Sequence, residues 1–246
     1  MEEGLHIALA AEPLFYVWGV PVTGALLLTF VATISLTALG FWVGKRASLI
    51  PGRMQAAFEA IFEYMLEYMS ATLGGERLAR RYFPLIATIF LFIFAANMIN
   101  FLPGIESVGI YEGGRLVPLL RPANTDLNVT LALSMISFLV IEISGIFALG
   151  FLKYGSKFIT LKSPVGFAVG VLELIGNIAR LVSFSFRLFG NIFAGHVLIA
   201  VIVFFVPLIL PVPLMLFEVF VGFMQAAIFA LLTLVFIKLS ISEPVH

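Results

Sequence analysis

The stretch Pro164–Val206 is almost continuously apolar over about 40 residues. As a single helix rising 1.5 Å per residue it would reach ~60 Å, about twice the ~30 Å hydrocarbon thickness of a bilayer. Such a run has to lie obliquely, break, or extend past the membrane. Four more apolar runs share the chain: about Val22–Gly44, Tyr82–Phe101, Leu127–Phe151 and Pro213–Leu239. Each is long enough to cross a bilayer once. Backbone polar groups in lipid need internal partners, so each run predicts a helix. The last two runs, joined through Pro207, Pro211 and Pro213, predict a long, strongly tilted hairpin. The expected fold is an all-α polytopic membrane protein, a single integral domain over residues 1–246 with five crossing helices.

Composition agrees with that reading. The chain is 61% hydrophobic and 11% charged, whereas a soluble domain carries about 25% charged residues. A net charge of zero gives no case for nucleic acid. The absence of cysteine excludes disulfides, thiolate metal sites and a cysteine nucleophile. No phosphate-binding loop, metal-ligand spacing or serine elbow stands out, so neither metal, cofactor nor an enzymatic activity of its own is expected. The start Met1-Glu2-Glu3-Gly4 lacks the basic region of a signal peptide, so the first span is expected to be retained.

Arg53–Leu73 has a different pattern. Met54, Phe58, Ile61, Met65 and Tyr68 recur at helical spacing, and Glu59, Glu63 and Glu67 form a separate acidic stripe. This predicts an amphipathic helix, lying on the membrane surface or packed on a partner. Pro103–Asn124, rich in Gly and Pro, predicts an exposed loop.

With five crossings, Lys45, Arg46, Arg53, Arg77, Arg80, Arg81, Lys153, Lys157, Lys162 and Lys238 fall on one side, and only Arg115 and Arg121 on the other. The positive-inside rule makes the first side cytoplasmic, with the N-terminus outside and the C-terminus inside.

Arg187 lies within the longest run. A guanidinium in hydrocarbon costs at least ~2.5 kcal/mol and does not lose its proton, so a site role is expected. Glu173, Arg180 and Arg187 recur every seventh residue and share one face; Asn191, four residues on, continues it. His196 falls about 180° from Arg187. On the last span Glu218 and Gln225 share a face. In an antiparallel hairpin turning near 207–213, His196 comes level with Glu218, and Arg187 with Gln225, within about two turns. Arg180 either snorkels or belongs to the site, and Glu173 either pairs with Arg180 or faces cytoplasmic water. Asn97, Asn100, Asn191 and Gln225 also suit interhelical hydrogen bonding. Glu142 has no evident partner in the sequence. These residues predict a proton path, and a proton-coupled secondary transporter is the main alternative. Such a transporter would show a solute pocket and internal repeats, and neither is visible.

The run Arg187-Leu188-Phe189-Gly190-Asn191 with Ala194-Gly195 resembles the signature of subunit a of the rotary F-type ATP synthase. Gln225-Ala226-Ala227-Ile228-Phe229, the Pro122–Thr130 segment and Asn97–Pro103 resemble it too. The resemblance implies a stator subunit with two offset half-channels that carry protons to and from carboxylates on a ring of c subunits. It implies that Arg187 separates the half-channels, with Asn191 and Gln225 near it, and that His196 and Glu218 are the polar pair of the outer half-channel. The outgoing proton is expected to pass Glu173 and Arg180. Implied partners are the c ring, peripheral-stalk b-type subunits and the rest of the synthase. The implied location is a bacterial inner membrane.

Overall fold

A computed structural model describes residues 13–48, 51–101, 109–112, 115–155, 157–158, 164–206 and 209–242. The start Met1–Gly4, Lys162, Pro207 and part of the Pro103–Asn124 loop lie outside the described residues. The described residues open with a hairpin of β1 (Pro13–Val17) and β2 (Val20–Thr23). Then come α1 (Gly24–Lys45), α2 (Arg53–Leu73) and α3 (Glu76–Ile99). A second hairpin, β3 (Gly109–Glu112) and β4 (Arg115–Pro118), precedes a 3₁₀ turn at Ala123–Thr125. The remainder is α4 (Leu127–Leu149), short α5 (Phe151–Gly155), α6 (Pro164–Phe205) and α7 (Pro211–Ile241).

α1, α3, α4, α6 and α7 are long and apolar enough to cross a membrane. α6 runs unbroken for 42 residues, so at about 63 Å it has to lie oblique to a ~30 Å core. The segment expected as an exposed loop before α4 contains the second hairpin, and its end is buried: Ala123, Asn124 and Thr125 are enclosed. α3 starts ahead of its apolar run because Glu76, in the first turn, forms an i,i+4 ion pair with Arg80 at 2.6 Å. Pro211 sits in the first turn of α7 rather than in the connection, where its missing N–H is harmless.

α7 is the central helix, in contact with α2, α3, α4 and α6. Lipid is as apolar as a leucine side chain, so helices in a membrane associate through close packing and polar contacts. The buried face of α7 is accordingly small and smooth, with Gly222, Ala226, Ala230 and Thr233. α4 buries Ser134, Ser137, Ser144 and Gly145, and Gly145 lies against Ser240 of α7. Larger side chains fill two layers. One holds Met69, Leu73, Ile86, Leu234 and Ile237. The other holds Ile89, Ile93, Phe184, Leu188 and Phe229.

α2 keeps its expected limits but packs with a different face. Phe62, Leu66, Met69 and Leu73 turn toward α3, with the Phe62 ring edge-on to Phe83 at 5.7 Å. Ile61 and Tyr68, from the stripe read in the sequence, stay exposed with Tyr64. The helix ends at Gly74, whose φ of 80° a residue with a Cβ rarely adopts.

Candidate functional site

α6 packs through Phe184, Ser185, Leu188 and Ile192, all buried. Arg187 projects from one flank of that face, half-buried. Its Nη2 donates to Ser183 Oγ, one turn back, at 3.2 Å, and its guanidinium carbon stands 5.8 Å from the Phe184 ring centroid. Among the described residues it makes no ion pair and no hydrogen bond to Gln225. Asn191 lies exposed one turn further along the same stripe. Within the same turn, Ser185 and Thr130 of α4 share a hydrogen bond at 3.1 Å, which pins α6 to α4.

Two contacts fix the register of the α6–α7 hairpin. The Phe184 and Phe229 rings lie 5.1 Å apart. Nearer the turn, a Cβ built on Gly195 would stand 2.7 Å from Oε1 of Glu218. That register sets His196 level with Glu218 and Arg187 level with Gln225. His196 and Glu218 are both half-buried, whereas Gln225 is enclosed in the α7 packing face.

Asn97 and Asn100 end α3 near the same end of the bundle. Asn97 is buried, donates to the Gly222 carbonyl of α7 at 3.0 Å and accepts from Asn124 Nδ2 at 2.6 Å. Among the described residues, buried Asn100 Oδ1 has no hydrogen-bond partner, and the same is true of Asn124 Oδ1, Ser134 Oγ and Ser137 Oγ.

Glu142, without a partner in the sequence reading, has two. Tyr154 OH donates to its Oε2 at 2.8 Å and Asn177 Nδ2 to its Oε1 at 3.1 Å. This cluster meets α7 at Ser240, which donates to the Ile141 carbonyl at 2.8 Å and lies 3.5 Å from Tyr154 OH. Gly222 and Ser240 are about five turns apart, roughly 27 Å. Glu142 therefore belongs to the opposite end of the bundle from Asn97 and Asn100. Arg180 stacks over the Phe236 ring at 4.0 Å, within electrostatic reach of Glu142, Tyr154 and Glu173. Glu173 is half-buried on the same helix face and makes no ion pair with Arg180. Tyr154, Asn177, Ser240 and Asn124 were missed in the sequence. Asn177 alone had a signal, since it lies between Glu173 and Arg180 at helical spacing.

This frame of an arginine with no ion pair among the described residues, a level histidine and glutamate, and an enclosed glutamine sits within the part of the chain that comparison with known proteins covers. The profile described as ATP synthase A chain matches residues 26–238. The chain belongs to the ATP synthase subunit a family. A relative named ATP synthase subunit a, from Campylobacter jejuni (strain RM1221), is 36% identical over 78% of this chain and 79% of its own length. One of the same name from Mycobacterium marinum is 36% identical over 87% and 85%. One from Propionigenium modestum, named ATP synthase subunit a, sodium ion specific, is 32% identical over 99% and 83%. As a member of the subunit a family, the chain is an ion-translocating membrane subunit that works in a complex with other ATP synthase subunits, not a catalyst on its own. The secondary-transporter alternative is set aside by that membership.

Proposed function

We propose that this subunit a conducts protons through two offset half-channels, with Arg187 between them and a ring of c subunits carrying the ion past it. The observation that supports this most is the state of Arg187. Among the described residues it has one neutral hydroxyl partner and no carboxylate. A permanent cation in an apolar layer needs a counter-charge. A carboxylate on a neighbouring subunit supplies it.

The physics then gives the cycle. A ring carboxylate facing lipid stays neutral, because a bare charge there is too costly. Opposite Arg187 the ionised form is favoured, so the proton leaves toward the cytoplasmic side past Glu173 and Arg180. Once past Arg187, the carboxylate takes a proton from the outer side, where His196 and Glu218 form a titratable pair at one level of the hairpin. Asn191 and Gln225 flank the crossing point. The positive charge of Arg187 blocks a direct leak between the half-channels. The driving force is about 2.3 kcal/mol per charge per 100 mV. In this reading the N-terminus is outside, the C-terminus is cytoplasmic, the membrane is a bacterial inner membrane, and b-type subunits of the peripheral stalk hold the chain against the ring.

The Propionigenium relative's name supports a second reading, with sodium as the ion. ATP-driven pumping in sodium-free buffer separates the two, since a proton carrier pumps there at full rate. The test of the ring contact uses the chain's lack of cysteine. In the intact complex, Asn191→Cys should crosslink to a cysteine placed beside the ring carboxylate. Crosslinking from Phe147→Cys on α4 instead of from Asn191→Cys would place the ring elsewhere and overturn the reading.

A further inference from the structure

We propose that Glu142 is a positioning residue for ion exit: a fixed negative charge, held by Tyr154 and Asn177, that offsets Arg180 at the cytoplasmic end of the path. The inference rests on the proposed function and deepens it.

Four helices build the cluster. α4 supplies Glu142, α5 supplies Tyr154, α6 supplies Asn177 and Arg180, and α7 supplies Ser240. Each carboxylate oxygen of Glu142 accepts from a different donor, Oε2 from Tyr154 OH and Oε1 from Asn177 Nδ2. An ionised carboxylate is acceptor-only, so two donors on two oxygens match its charged form. The Tyr154 phenol is protonated at neutral pH by its ordinary chemistry, and burial pushes it further up, to about 12. Tyr154 itself is clamped, with Ser240 Oγ at 3.5 Å, Lys157 Nζ 5.3 Å from its ring centroid and Phe158 edge-on at 5.6 Å.

Among the described residues, Arg180 of α6 lies within electrostatic reach of Glu142, and Glu173 within reach of Arg180, while Lys157 lies over the Tyr154 ring. Arg180 is the cation on the Arg187 stripe, two turns toward the cytoplasmic end. It is half-buried and cannot shed its proton. Left unbalanced, it would raise the positive potential where the outgoing ion must pass. Glu142 lowers that potential without touching Arg180, and Asn177 ties the compensating charge to the same helix, one turn from Arg180. A residue that only held helices together would have no need of charge.

The test is ATP-driven pumping by the assembled complex in vesicles. Glu142→Gln keeps the shape and one acceptor oxygen, removes the charge and turns the other acceptor into a donor. It should slow pumping roughly fivefold, and Glu142→Gln with Arg180→Gln should recover much of that loss, a coupling visible in a double-mutant cycle. Glu142→Asp should retain most of the pumping that Glu142→Gln loses, which also decides the question if Glu142→Gln fails to assemble. Losses that simply multiply in the double variant, or an aspartate variant as slow as the glutamine one, would overturn the proposal. Arg187→Ala in the same preparation keeps the two readings apart. Abolished pumping there with no effect at Glu142 sinks this inference alone, whereas active Arg187→Ala sinks the proposed function.

Discussion

Glu218 of α7 lies against bare backbone at Gly195 of α6, so close that a Cβ there would stand 2.7 Å from Glu218 Oε1. The neighbour of Gly195 is His196, so this contact bears on the distance between the His196 and Glu218 side chains. Gly195→Ala should push the flexible carboxylate aside without unfolding the hairpin. Pumping should fall several-fold while the complex assembles in normal yield. Unchanged pumping would show that the position of Glu218 does not matter.

The His196 and Glu218 pair can be tested by exchange. If the two form one relay, His196→Glu with Glu218→His should recover part of the proton flux that each single change loses. If the effects of the two changes add without coupling, the residues are independent, and the outer access route lies elsewhere, with Asn97 and Asn100 nearest.

Two asparagines at the end of α3 should behave in opposite ways. Asn97 bridges Gly222 and Asn124, so Asn97→Ala strands buried polar groups, at a cost of about 1–3 kcal/mol. Thermal dissociation of the complex should occur at lower temperature. Asn100 Oδ1 is buried with no partner among the described residues, so Asn100→Ala removes an unsatisfied oxygen and should be close to neutral. If Asn100→Ala is the more destabilising of the two, that oxygen holds a structural water.

Much of this was legible in the sequence, because membrane helices announce themselves by length and apolarity. α6 began where its apolar run began, and α2 had the expected ends because Gly52 and Gly74 bracket it. The face α2 buries was not legible. Its apolar residues cover two faces, and only the position of α3 decides that Phe62 and Leu66 turn inward while Ile61 and Tyr68 do not. The two hairpins were missed because their strands are four or five residues long and three of the four contain proline. Arg187 stood out through the cost of its charge. The partners of Glu142 did not, since Asn177 is 35 positions away and no periodicity links a residue to a helix it meets only after folding.

The lopsided lysines and arginines predict an orientation, and single cysteines test it in a chain that has none. Glu112→Cys should react with an impermeant thiol reagent from outside the cell, and Lys157→Cys only from the cytoplasmic face. Reversed labelling would invert the five-span arrangement.

The central claim is that Arg187 is the charge that both receives the ring carboxylate and seals the path. Its most direct measurement is acidification of inside-out membrane vesicles on ATP addition, with Arg187→Ala compared with the unchanged chain in assembled complexes. The account predicts that Arg187→Ala abolishes acidification. Arg187→Lys should be severely impaired as well, since lysine lacks the planar fork and can lose its proton in a dry site. Vesicles carrying Arg187→Ala that still acidify would contradict it.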